Sequence, residues 1–101
     1  MNSNRPGGYF YIMVNHKSGT IYVGSTNDLR YRNSEHKNAT NPDSFTAKYN
    51  CKVLAYFEAY DTLADARARE RAVKRYKRSW KIALIERDNP EWEDIPLRWD
   101  D

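Results

Sequence analysis

The chain has 101 residues, the length of one ordinary domain, and its 17 Lys plus Arg against 14 Asp plus Glu give a formal charge of +3. A hydrophobic fraction of 40% with 14% aromatics excludes disorder along the whole chain, and no apolar run approaches the ~20 residues that a membrane span needs. One cysteine, Cys51, excludes an internal disulfide and a cysteine-built zinc site; residues 1–8 lack the apolar core of a secretory signal, so the cytoplasm is the expected compartment.

Residues 1–8 are polar and end in Pro6-Gly7-Gly8, which predicts a flexible N-terminal tail. Tyr9 to Val14 is a run of aromatic and β-branched residues and predicts a strand buried on both faces. Asn15 to Gly19 is a turn in which Gly19 supplies positive φ, and Thr20 to Val23 is a second strand ended by Gly24, together an antiparallel hairpin. Ser25 to Asp28 is rich in capping side chains and predicts a helix from about Asp28 to Lys37. A loop carrying Pro42 follows, then a third strand, Lys52 to Ala59. Asp61 or Thr62 caps a long helix to Tyr76 or Lys77, and Ser79 caps another, Trp80 to Arg87, stopped by Asn89-Pro90. Residues 93–101 form an acidic C-terminal tail. The order strand, strand, helix, strand, helix, helix implies one α/β (α+β) domain over residues 9–92, a small sheet covered by helices.

Several residues do not fit a purely structural pattern. Leu63, Ala66, Val73 and Tyr76 make the core stripe of the long helix, and Glu70 sits inside it. A carboxylate there is costly unless it is paired, protonated or metal-bound. Arg67, Arg69, Arg71, Lys74, Arg75, Lys77, Arg78 and Lys81 give this region an excess of one sign, interleaved with Tyr76 and Trp80. That suits either a solvated helix face or a phosphate-binding one. Arg32 and His36 are four apart on the first helix and share the face of Leu29. Tyr11 and Tyr22 stand side by side in the hairpin, where tyrosine ordinarily serves packing.

Together these positions form a spaced pattern. Tyr9-Phe10-Tyr11 is followed eleven residues on by Tyr22-Val23-Gly24, then by Arg32, His36 and Glu70. In this the chain resembles the GIY-YIG nuclease family, and among its members the small stand-alone bacterial proteins, through Val-Gly-Ser-Thr-Asn-Asp-Leu, Glu-His-Lys and Asn-Pro-Glu-Trp. The resemblance spans Tyr9 to Trp92. Tyr9-Phe10 replaces the family's Gly-Ile, Tyr31 stands where relatives often have a second Arg, and Asn33 replaces a usual apolar residue.

The resemblance implies a three-stranded antiparallel sheet flanked by about three helices. It implies metal-dependent hydrolysis of DNA phosphodiester bonds, in repair or recombination. Glu70 would hold Mg²⁺ or Mn²⁺, Arg32 would bind the charge growing on the phosphoryl oxygens, and Tyr22 would take a proton from the attacking water. Tyr11 and His36 would orient water and phosphate. Contacts from Arg67, Arg71, Lys74, Arg75, Lys77 and Arg78 would be to phosphates, with a protein partner supplying specificity. The competing expectation is a nucleic-acid-binding module whose nuclease site is weak or lost.

Overall fold

The structure, a computed structural model, describes residues 5–97. The outer parts of both expected tails, 1–4 and 98–101, lie outside the described residues.

Three strands form one antiparallel sheet: β1 (Gly8–Val14), β2 (Ile21–Thr26) and β3 (Val53–Tyr60), in the order β2-β1-β3. All seven residues of the central strand β1 are buried, which is why it reads as an unbroken apolar run rather than an alternating one. Helix α1 (Leu29–Asn38) follows the hairpin, a single turn α2 (Phe45–Lys48) precedes β3, and α3 (Leu63–Lys74) and α4 (Arg78–Glu86) follow it.

The two faces of the sheet hold two cores. On one, Phe10, Ile12 and Val14 pack with Val23, Ala55 and Tyr56 against Val73 of α3, Ile85 of α4 and Trp92. On the other, Tyr9, Tyr11 and Met13 pack with Leu29 of α1, Cys51 and Leu54, and with the partly buried Ile95 and Leu97. Cys51 is a buried free thiol in this second core.

Local differences from the sequence expectations have local causes. In the hairpin the positive φ falls on Ser18, at 63°, and Gly19 has none. Gly19 is there for room: a Cβ on it would lie 2.0 Å from Asn15 Oδ1, the atom that accepts the Thr20 N–H and shapes the turn. Strand β2 runs through Gly24 to Thr26. The turn α2, capped by Ser44 on the Ala47 N–H, is too short to leave a helical period in the sequence.

The basic run is two helices, broken at residues 75–77. Ser79 is not a cap but lies inside α4, whose N-cap Lys77 makes no side-chain capping bond. The Arg78 guanidinium instead donates to the carbonyls of Ser18 and Gly19, tying α4 to the hairpin turn.

At the chain ends the ordered sheet reaches further than expected. Gly8 already belongs to β1, and the Gly7 N–H donates to Tyr60 O. Residues 93–97 pack onto β3: the Ile95 N–H donates to Leu54 O, and the Leu54 N–H donates to Asp94. Asn89 spans from Ala55 O to both backbone groups of Glu93. Its role is to fasten this segment to β3, on the far edge of the sheet from β2.

Candidate active site

The edge strand β2 organises the site. Tyr11 of β1 faces Gly24 of β2 across the ladder. A Cβ at position 24 would come within 2.7 Å of the Tyr11 ring and its hydroxyl, and within 3.0 Å of the Tyr22 ring. A glycine here lets the buried Tyr11 lie flat across the neighbouring strand, toward the Tyr22 ring 6.2 Å away between centroids.

Helix α1 brings two more groups to the same side. Asp28 caps it by accepting the Tyr31 N–H, and Leu29 anchors its first turn in the core. Two turns further on, the buried His36 ring lies between two hydroxyls, with Nε2 2.9 Å from the Tyr11 oxygen and Nδ1 2.8 Å from Thr46 Oγ1. Both partners can donate or accept, so the ring is satisfied with its proton on either nitrogen. Burial first, and the Arg32 charge second, push the His36 pKa down to about 4, so the ring is neutral at pH 7. Burial also pushes the Tyr11 phenol well above its ordinary value, with Arg32 opposing. Arg32 itself is half-buried and bonds Glu35 through Nε at 2.9 Å.

Glu70 reaches β2 from the opposite face. Alternation along the strand puts Tyr22 on the α1 side and Ser25 on the α3 side. The Ser25 hydroxyl donates to Glu70 Oε1, and Lys74, one turn along α3, donates to Oε2 at 2.6 Å. Glu70 is thus paired within its own helix, with a lysine one turn on. Burial raises the Glu70 pKa, but the bonds from Lys74 and Ser25, with the charges of Lys74 and Arg67, outweigh it and hold the carboxyl below its ordinary range. Lys74 in turn lies near Tyr22. Thus Tyr11, Tyr22, His36 and Arg32 form one cluster, and Glu70 sits round the strand edge from it, with Lys74 between.

No three His, Cys, Asp or Glu side chains converge into a ligand set among the described residues. At the strand edge Glu70 offers a charged oxygen donor whose side chain keeps 19% exposure, whereas Glu35 on the other side of β2 is engaged by Arg32. One carboxylate completed by waters and phosphate oxygens is a donor set that Mg²⁺ accepts. The residues present therefore fit a hard divalent cation, provided that Lys74, an exposed partner, gives up Oε2.

Arg67, Arg71, Lys74, Arg75, Lys77 and Arg78 are all exposed. At 3.6 residues per turn, Arg67, Arg71 and Lys74 project within about 60° of one another, beside Glu70. Lys77 lies 5.1 Å over the Trp80 ring, and Arg78 is engaged with the hairpin turn. Arg69 differs in kind: it bonds Glu58 through two nitrogens and Tyr76 through a third.

Four contributors were absent from the sequence reading: Ser25, Gly24 as a spacer, Thr46 and Phe45, which stacks on Tyr22 at 5.8 Å. Ser25 was findable, because Ile21 and Val23 set the strand's apolar face and Ser25 continues it. Thr46 and Phe45 had no signal, since the turn that carries them has no period of its own.

The sequence profile described as the GIY-YIG catalytic domain matches residues 7–83. A UPF0213 protein of Staphylococcus saprophyticus is 34% identical over 77 residues, which cover 76% of this chain and 92% of that protein. One from Clostridium perfringens is 32% identical, covering 76% and 81%, and one from Halobacterium salinarum is 34% identical, covering 66% and 86%. No solved structure matches at the same stringency. The chain belongs to the GIY-YIG family, a family of nucleases.

Proposed function

We propose that this GIY-YIG domain is a divalent-metal-dependent DNA endonuclease that hydrolyses a phosphodiester bond, acting in the cytoplasm in DNA repair or recombination. The observation that carries the reading is the gathering of Tyr11, Tyr22, His36 and Arg32 on one side of an edge strand whose other side holds Glu70.

The roles follow from residue type and surroundings. Arg32, partly exposed beside the tyrosines, binds the phosphoryl oxygens and stabilises the charge that grows on them. Tyr22, the less buried phenol, takes a proton from the attacking water once its own proton has been lost or shared beside Arg32 and the metal that Glu70 would hold. Tyr11 cannot do so readily, because burial holds its proton. It and the neutral His36 form a fixed hydrogen-bonded pair that orients water and phosphate. Glu70 would hold Mg²⁺ or Mn²⁺. When bound, that ion supplies Lewis-acid stabilisation of the leaving 3′ oxygen. Arg67, Arg71, Lys74, Arg75, Lys77 and Arg78 bind phosphates without reading sequence, which leaves room for a protein partner that supplies specificity.

One observation favours a second reading, a nucleic-acid-binding module with a weak or lost nuclease site: both Glu70 oxygens already have partners, Ser25 and Lys74. The deciding experiment incubates the protein with supercoiled plasmid and branched oligonucleotides in Mg²⁺, in Mn²⁺ and in EDTA. Metal-dependent cleavage that disappears in Glu70→Ala, and falls on the order of a hundredfold in Tyr22→Phe, supports the nuclease. DNA binding without cleavage in either metal supports the module.

A further inference from the structure

A row of aromatic rings leads from the buried part of the site to its surface. Tyr11 and Tyr22 each meet His36 at 5.6 Å between ring centroids. Tyr22 stacks on Phe45 at 5.8 Å with the planes 30° apart, and Phe45 meets Tyr49 at 4.6 Å. Exposure rises along the row: Tyr11 has none, whereas Phe45 keeps 44% and Tyr49 50%. The turn α2 buries only Thr46, and Thr46 is the residue that bonds His36. A polar bond to the catalytic cluster thus holds this turn in place while its two large rings face solvent.

We propose that Phe45 and Tyr49 form a stacking platform for an unpaired base of the strand being cut, which makes the site selective for single-stranded or locally unstacked DNA over intact duplex. This deepens the nuclease reading and rests on it. Three features of the platform point to a base as occupant. It is continuous with the ring of Tyr22, at which the phosphate chemistry is placed, so a base lying on it belongs to a nucleotide adjoining the scissile phosphate. Cations suited to the flanking phosphates lie on the same turn and beside the cluster that the row adjoins: the exposed Lys48 on α2, Arg32 next to Tyr11, and Lys74 near Tyr22. Its two rings present flat apolar surface, on which any base can lie without regard to sequence. In duplex DNA neighbouring bases, 3.4 Å apart along each strand, already cover both faces of every base. Only a base released from its stack can use Phe45.

The test compares one labelled oligonucleotide as a single strand and as a perfect duplex, with the unmodified chain, Phe45→Leu and Tyr49→Leu. Leucine keeps apolar volume but cannot stack. The unmodified chain should prefer the single strand. Each variant should lose about tenfold in kcat/KM on the single strand, and Tyr49→Leu, whose ring meets Phe45 at the outer end of the row, should keep its duplex rate. A second arm places 2-aminopurine beside the cleavage site and measures its fluorescence on binding to Arg32→Ala, in which cleavage is blocked. Stacking should quench the probe, and adding Phe45→Leu should restore it. Equal losses on both substrates in Tyr49→Leu, an unchanged preference, or no quenching would overturn the platform. If the unmodified chain cuts neither substrate, the nuclease reading fails, and the quenching arm still decides whether a base stacks on Phe45.

Discussion

Helices α1 and α3 both carry groups assigned to the site, yet they are held by different means. Helix α3 is seated by apolar packing: Ala66 and Val73 are fully buried, Thr62 caps it on the Asp65 N–H, and Arg69 pins its flank to Glu58. Glu70 then projects from the rim of an already anchored helix. Helix α1 buries Leu29, Asn33 and His36, so apolar contact comes from Leu29 alone. The bonds of His36 to Tyr11 and Thr46 complete its seat. In α3, scaffold and chemistry are separate residues; in α1 they are the same ones. Stability and activity should therefore part company on α3 and travel together in the His36 region of α1.

The largest effect should appear in activity. Glu70→Gln removes the charge proposed to hold the metal and leaves Ala66 and Val73 in place. Cleavage should fall on the order of a hundredfold to a thousandfold, with the melting temperature within about a degree or two of the unmodified chain. Arg32→Ala should match it in rate loss, because Arg32 is partly exposed and contributes little packing. A large stability loss in Glu70→Gln would break the comparison, since α3 would then depend on its functional group as α1 does.

Next comes Gly24→Ala. The new methyl group must displace the buried Tyr11 ring or spread the two strands, and overpacking of this kind costs ~1–3 kcal/mol. Tyr11 bonds His36, so the disturbance should pass to α1. Amide hydrogen exchange should show lost protection in α1 and unchanged protection in α3. Equal losses in both helices would mean that the sheet, rather than α1, absorbs the strain.

The same contrast explains what was legible in the sequence. The strands, α1 and α3 were found within a few residues, because alternation, capping residues and apolar period all speak locally. The proposed site positions Tyr11, Tyr22, Arg32, His36 and Glu70 stand out in the sequence only as a spaced pattern, since each alone reads equally well as packing or as a surface charge. Thr46 and Gly24 act through partners distant in the chain, ten residues away at His36 and thirteen at Tyr11. The need for them arises only once the sheet has folded. The split of the basic run at residues 75–77 was hidden because charge continues across the break without regard to the backbone.

Acid should separate the two helices further. The His36 pKa is lowered to about 4, below the ~6.5 of an unfolded chain. The unfolded state thus binds the proton more readily. The contribution of neutral His36 to stability is fully present above about pH 6.5 and is lost as the pH falls through about 4. Thermal melts taken from pH 7 to pH 4 should show a steady loss, and His36→Gln, which cannot titrate, should flatten that part of the curve. An unchanged slope would mean that carboxylates such as Glu58 and Glu70, both with lowered pKa values, carry all of the acid sensitivity.

The smallest expected effect is a gain. Asn33 is buried in the middle of α1, at 8% exposure, and its Oδ1 finds no hydrogen-bond partner among the described residues. A buried acceptor left unpaired costs about 1–3 kcal/mol. Leucine has the same branching and the same number of heavy side-chain atoms, and it has no polar group to desolvate. It also raises helix propensity. Asn33→Leu should therefore stabilise the chain by about 1 kcal/mol, a rise of ~4–8 °C in melting temperature for a domain of this size. Cleavage should stay within about twofold, because Arg32 and His36 keep their partners. The gain should come with added exchange protection in α1 alone. If Asn33→Leu is instead destabilising, the cavity beside α1 that Asn33, Ser34 and Ile95 line requires a polar side chain. The weak apolar grip of this helix would then be a property of its seat rather than of one residue.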